Sequence, residues 1–158
     1  MKAPSKHDYS ARVVWTGNLG EGTSRYTSYG REYRIVIDGK PDLAGTSDPA
    51  FHGKPDVHNP EDLFLASISA CHMLFYLSLC ARAGIRVTAY EDQARGTMVI
   101  RADGGGRFED VTLHPVATIE AGGDEALALR LHEQAHELCF IANSCSVPIR
   151  HEPLVRVG

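Results

Sequence analysis

Between Asn59 and Gly84 the chain reads NPEDLFLASISACHMLFYLSLCARAG, and no Asp, Glu, Lys or Arg interrupts it from Leu63 to Leu79. Asn59 is suited to cap a helix, and Pro60 fits the first helical position, where no backbone donor is lost. Glu61 and Asp62 then set negative charge beside the positive end of the helix dipole. Arg82 and Gly84 supply a cation in the last turn and a left-handed terminator. The segment therefore predicts one long helix, roughly 36 Å at about 1.5 Å per residue. A soluble helix that is apolar on every side must be covered on every side. A chain of 158 residues is short of material to do this alone, so a second copy is expected around the same helix.

The rest of the sequence is that of an ordinary globular protein: 43% hydrophobic, 23% charged, net charge −4. One domain spanning residues 1–158 is expected. Scattered basic residues leave no footprint for nucleic acid or for an anionic membrane. The helix is long enough to span a bilayer, but Ser67, Ser69, His72 and Ser78 lie within it, and mixed-polarity β pattern surrounds it. A buried soluble helix is the expectation. The opening MKAPSKHDYSARVVW has no apolar core of signal-peptide length, which predicts a cytoplasmic protein. In that compartment Cys71, Cys80, Cys139 and Cys145 are expected as thiols, with no CxxC among them.

Along the chain, Ala11–Thr16 reads as a strand and GNLGEGT (17–23) as a turn; no lysine or helix follows to make it a phosphate loop. Arg25–Tyr29 with Glu32–Asp38 reads as a hairpin, and Pro41–His58 as a long loop. After the central helix, Arg86–Arg101 and Arg107–Glu120 flank the turn ADGGG as a longer hairpin. Asp124 caps a helix expected over Glu125–Phe140, and Pro148–Val157 closes as a strand. The fold class is α+β, with antiparallel sheet wrapped on a long buried helix.

Three groups of residues compete for the chemistry. His132-Glu133-Gln134-Ala135-His136 has the HExxH spacing of zinc proteases, with the histidines one turn apart. The third ligand and two-lobed cleft of such enzymes have no clear counterpart, so a solvated helix face is expected and no stoichiometric metal. The second candidate is Cys71, in mid-helix and without help from a helix N-terminus; an apolar surround raises a thiol pKa. A reactive Cys71 needs a cation, from Arg25, Arg31, Arg34 or the adjacent His72. Cys80, nine residues on, points the opposite way and reads as structural. The third candidate is a pair between helices. Leu131, Ala135 and Leu138 form a stripe that should pack on the central helix and bring Cys139 towards it, and an attacking thiol with a resolving neighbour is the logic of thiol peroxidases.

These motifs, NPEDLFLASISACHM (59–73) and AHELCFIANS (135–144), resemble the OsmC/Ohr family of organic hydroperoxide-handling proteins over nearly the whole chain. The resemblance implies an intertwined homodimer of antiparallel sheets around central helices, with two sites at the interface. It implies that Cys71 is the peroxidatic residue and Cys139 the resolving one; the departure that follows Cys139 leaves Cys145 as a substitute resolver. Glu61 corresponds to the family's glutamate. The arginine it pairs with is Arg31, or else Arg25. Organic hydroperoxide is the implied substrate, a cellular dithiol the reductant, and no cofactor is called for. Phe140, Ile141 and Ala142 follow Cys139 where Ohr-type members carry Pro-Tyr-Ser, and His72 follows Cys71. Both features place the chain nearer an OsmC-like subgroup. The alternative to an enzyme is a non-enzymatic or redox-sensing dimer with weak turnover, and after it a metal site built from His132, His136 and cysteines. Glu61 lies ten residues before Cys71, about 15 Å along a straight helix, so it is expected to serve the Cys71 of the partner chain.

Overall fold

The computed structural model describes residues 4–158. The chain divides into two compact units, Met1–Leu63 and Phe64–Gly158.

In the first unit, β1 (Arg12–Trp15), β2 (Tyr33–Val36) and β3 (Leu43–Gly45) form an antiparallel sheet in that order. Trp15 pairs with Tyr33 and Arg34 with Ala44. Two expectations change here. Arg25–Tyr29 is not a strand but a run of turns. The Asn18 side-chain oxygen takes the Gly20 and Gly22 amides at 2.9 and 3.1 Å, and the Ser28 amide bonds to Arg25 O at 3.0 Å. Backbone groups satisfied so locally have none left for a ladder. The segment 41–58 is also not all loop, since it holds β3 and a 3-10 turn at Pro49–Phe51 capped by Asp48. Gly45 lets this third strand lie under the Tyr33 ring, because a Cβ there would meet the ring at 2.2 Å.

Helix α1 runs Pro60–Arg82 as expected. Its start is a reciprocal cap: the Asp62 amide donates to Asn59 Oδ1 at 2.8 Å, and the Asn59 amide donates to Asp62 Oδ2 at 3.2 Å. Its end is a Schellman turn on Gly84 at φ 73°, with Ile85 N–H reaching Cys80 O at 2.9 Å. Ile68, His72, Tyr76 and Cys80 are its buried residues, one stripe at intervals of four. A single chain thus covers one face, and Leu74 on another stays 63% exposed.

In the second unit β4 (Val87–Asp92), β5 (Arg95–Ile100), β6 (Gly106–Leu113) and β7 (Pro115–Ile119) form the long hairpin, bent at its middle. At the bend Asp92 Oδ1 accepts the His114 amide at 2.7 Å, and the halves enter two sheets, β4-β7-β9 and β5-β6-β8. Asp124 caps α2 (Glu125–Leu138) through the Leu127 amide at 2.8 Å, and the helix ends two residues earlier than expected. The closing strand is two strands, β8 (Ile149–His151) and β9 (Leu154–Val157), separated by Glu152 and Pro153. They pair parallel to β6 and β7. The sheets are therefore mixed, because α2 acts as the crossover that a parallel return requires. The main core gathers Tyr76, Cys80, Ala117, Ile119, Leu131, Ala135 and Val155 from α1, α2 and the β4-β7-β9 sheet. A smaller one joins Ile68, Val111 and Leu113. Leu138, expected in the packed stripe, is 47% exposed.

Candidate functional site

Helices α1 and α2 hold each other at two places. At the first, His72 Nε2 and His132 Nδ1 share a hydrogen across 3.0 Å, and the Tyr76 ring stacks on His132 with centroids 3.8 Å apart. At the second, seven residues along α2, Cys139 caps the helix with the Cys71 thiol as its neighbour, and Phe75 meets Phe140 edge-on at 4.8 Å. His72 and Tyr76 are one turn apart on α1, and so are Cys71 and Phe75. Two adjacent stripes of α1 therefore grip His132 of α2 and, two turns further on, the end of that helix.

This geometry brings together the two cysteines named for attack and resolution, and all four cysteines are free thiols. Cys71 is half-buried, whereas Cys139 is buried. Burial, and after it the neighbouring Cys71, push the Cys139 thiol up to about 11, against the Ala142 amide that donates to its sulfur at 3.4 Å. Cys145 donates to Ala142 O at 3.5 Å and borders a cavity of about 160 Å³ with Phe64, Arg107, Phe108 and Val147. Cys80 is buried against Tyr76, and burial raises its thiol, as suits a structural residue.

The cation candidates separate. His72 is not one, since burial and the nearby His151 and His136 bring it down to about 4 and leave it neutral near pH 7. In the first unit Arg25 pairs with Glu21 at 3.6 Å and Arg34 with Asp42 at 2.7 Å. Arg31 has no carboxylate within 4 Å among the described residues. Its guanidinium donates to the carbonyls of Tyr29 and Tyr26 and lies over both rings, 3.9 and 4.6 Å from the centroids. Glu61 sits in the first turn of α1, and its carboxylate adds to burial in raising the Tyr33 phenol.

The HExxH segment is not the solvated face expected of it. His132 is wholly buried, and burial with the neighbouring His72 lowers it to about 3. His136 stacks on His151 at 5.2 Å, and Glu133 stands 3.4 Å from His151 Nε2. Among the described residues no three His, Cys, Asp or Glu side chains converge as metal ligands. Neither His151 nor the His72–His132 contact was anticipated. The signal was present, since His132 lies beside Leu131 and three residues from Ala135, inside the stripe already assigned to the core.

The family model for OsmC-like proteins matches residues 53–152. An OsmC-like protein of unknown function from Vibrio cholerae has a similar structure, at 27% identity and TM-score 0.85, over 94% of this chain and 100% of that one. An organic hydroperoxide resistance protein from Elizabethkingia anophelis aligns at 24% identity and TM-score 0.68, covering 98% of this chain and 100% of that one. The organic hydroperoxide resistance protein OhrB of Bacillus subtilis aligns at 22% and 0.60, covering 94% and 98%. No curated protein sequence matches the chain.

Proposed function

Because the chain belongs to the OsmC-like protein family, we propose that it is a thiol peroxidase for organic hydroperoxides, working through Cys71 and Cys139. The observation that carries this reading is the neighbouring pair of reduced thiols, one half-buried and one buried, on elements held by the same helix contact. The Cys71 thiolate attacks the distal peroxide oxygen. The O–O bond breaks, the alcohol leaves with a proton, and Cys71 becomes a sulfenic acid. Cys139 displaces hydroxide from it as water, forming a disulfide that a cellular dithiol reduces. The Cys71 thiolate needs a cation. Arg31, with no carboxylate within 4 Å among the described residues, is the arginine proposed to supply it, oriented by Glu61 of the partner chain in a homodimer. Four free cysteines suit the reducing cytoplasm.

Stopped-flow oxidation tests the assignment. The wild type should react faster with cumene hydroperoxide than with hydrogen peroxide, and Cys71→Ser should consume neither while keeping its circular dichroism. Retained turnover in Cys71→Ser would sink it. One observation favours a sensor as the second reading: a resolving thiol pushed up to about 11 attacks slowly near neutral pH. A sulfenic acid at Cys71 that outlasts the peroxide by minutes would favour the sensor.

A further inference from the structure

A buried imidazole pair joins the two helices that carry the cysteines, and the proposed dithiol chemistry does not use it. His72 is 1% exposed and His132 0%. Their one link, 3.0 Å between His72 Nε2 and His132 Nδ1, holds a single hydrogen. The outer nitrogens, His72 Nδ1 and His132 Nε2, are buried with no hydrogen-bond partner among the described residues. Buried polar atoms rarely go unpaired, so closing this contact costs hydration that only the packed state offsets.

We propose that the His72–His132 link is the positioning contact that holds Cys71 opposite Cys139, and that acid opens it, so that disulfide closure fails in acid. This rests on the Cys71–Cys139 pairing proposed above.

The chemistry of the link carries the argument. A neutral pair needs one ring to donate and the other to accept. One added proton can be shared across the contact, but a second removes the only acceptor and sets two cations side by side. Among the described residues no anion is placed to stabilise that charge. From α1 the pair is faced by Tyr76 and, behind it, Cys80; from β4 by Tyr90; from β8 by His151. Asp92 of β4 is taken by Ser69 and the His114 amide. From α2 itself come His136 and Glu133, and Glu133 is an exposed carboxylate whose contact is His151. The sign follows. Both rings bind a proton less readily in the closed state than in water, where they titrate near 6.5. The open state thus binds more protons below about pH 6.5, and acid favours it. Each imidazole contributes about tenfold per pH unit to the opening constant, so two contribute about a hundredfold. The leverage is direct: His72 follows Cys71, and His132 lies two turns before Cys139 on the same side of α2.

The test follows two quantities in wild type and in the double variant His72→Leu/His132→Leu. The first is amide hydrogen exchange across Leu131–Leu138, normalised to unfolded-chain rates at each pH. The second is the equilibrium of the Cys71–Cys139 disulfide against glutathione, with closure driven by a chemical thiol oxidant instead of peroxide. In the wild type the opening constant should climb steeply from pH 6.5 to 4.5, with the closed disulfide lost along it. The double variant should lack those two protons' share of the slope, and at pH 7.5 its disulfide should be weaker by about tenfold. Superimposable pH profiles, or an unchanged disulfide equilibrium at pH 7.5, would overturn the proposal. Should the double variant not fold, imidazole nitrogen NMR of the wild type decides. Rings still neutral at pH 5.5 support the link, and rings titrating near 6.5 in the folded protein refute it. Acid-sensitive closure in a protein that consumes no peroxide would leave the proposal standing and remove the peroxidase. Peroxide turnover with acid-insensitive closure would do the reverse.

Discussion

At Cys139 three local facts meet. The residue leaves the helix with extended backbone angles, φ −63° and ψ 111°, its sulfur takes the Ala142 amide, and Cys71 is beside it. The bent exit turns the sulfur back toward the next turn's backbone, where the chain is folded over it, and burial follows. A buried thiol with a raised pKa is a poor nucleophile, and the high effective concentration beside Cys71 offsets part of its small thiolate fraction. Cys139→Ser should therefore trap the sulfenic acid at Cys71 after one equivalent of cumene hydroperoxide, detectable by dimedone labelling and mass spectrometry. Formation of an intramolecular disulfide in that variant would assign resolution to Cys145, whose sulfur shares Ala142 as a neighbour.

At the scale of elements, α1 is decided by its ends as much as by its apolar length. Asn59 and Asp62 satisfy each other's amides at the start, and Gly84 turns left-handed at the finish. Nothing lies within 4 Å of a Cβ built at Gly84, so Gly84→Ala meets no clash and isolates the backbone cost of φ 73°. It should lower stability by about 1 kcal/mol in urea unfolding, with an unchanged m-value. A neutral result would mean that the helix ends without the Schellman turn. Gly45→Ala is the contrast. There the added carbon meets the Tyr33 ring, the sheet must shift, and the loss should exceed that at Gly84.

At the scale of the molecule, the face of α1 that one chain leaves open argues for a second copy. Leu74 is 63% exposed on a helix with almost no charge, with Ala66 and Ala70 exposed on the same stripe, and a second copy is proposed to cover it. If Glu61 of one protomer completes the Cys71 site of the other, mixing Glu61→Ala and Cys71→Ser chains should restore activity that neither has alone. Random pairing gives half heterodimers with one intact site in two, about a quarter of wild-type turnover. Turnover should also fall on dilution below the dimer dissociation constant. Mixed chains that stay inactive, although mass spectrometry shows heterodimers, would place both residues in one protomer.

By itself the sequence determined what depends on neighbours along the chain. The span and caps of α1, the cap of α2, the hairpin around ADGGG and the grouping of Cys71 with Cys139 all follow from periodicity, capping chemistry and motif. The tertiary structure decided what depends on partners far apart. The Ser28 hydroxyl, bonded to both the amide and the carbonyl of Arg25, holds 25–29 in turns despite its β-forming residues. A crossover through α2 made the last strands parallel, which no local pattern encodes. His132 lies between Leu131 on the core stripe and the exposed Glu133, and its enclosure came from His72, sixty residues away. Periodicity reports which face of an element is apolar, whereas only packing reports which polar side chain another element will enclose.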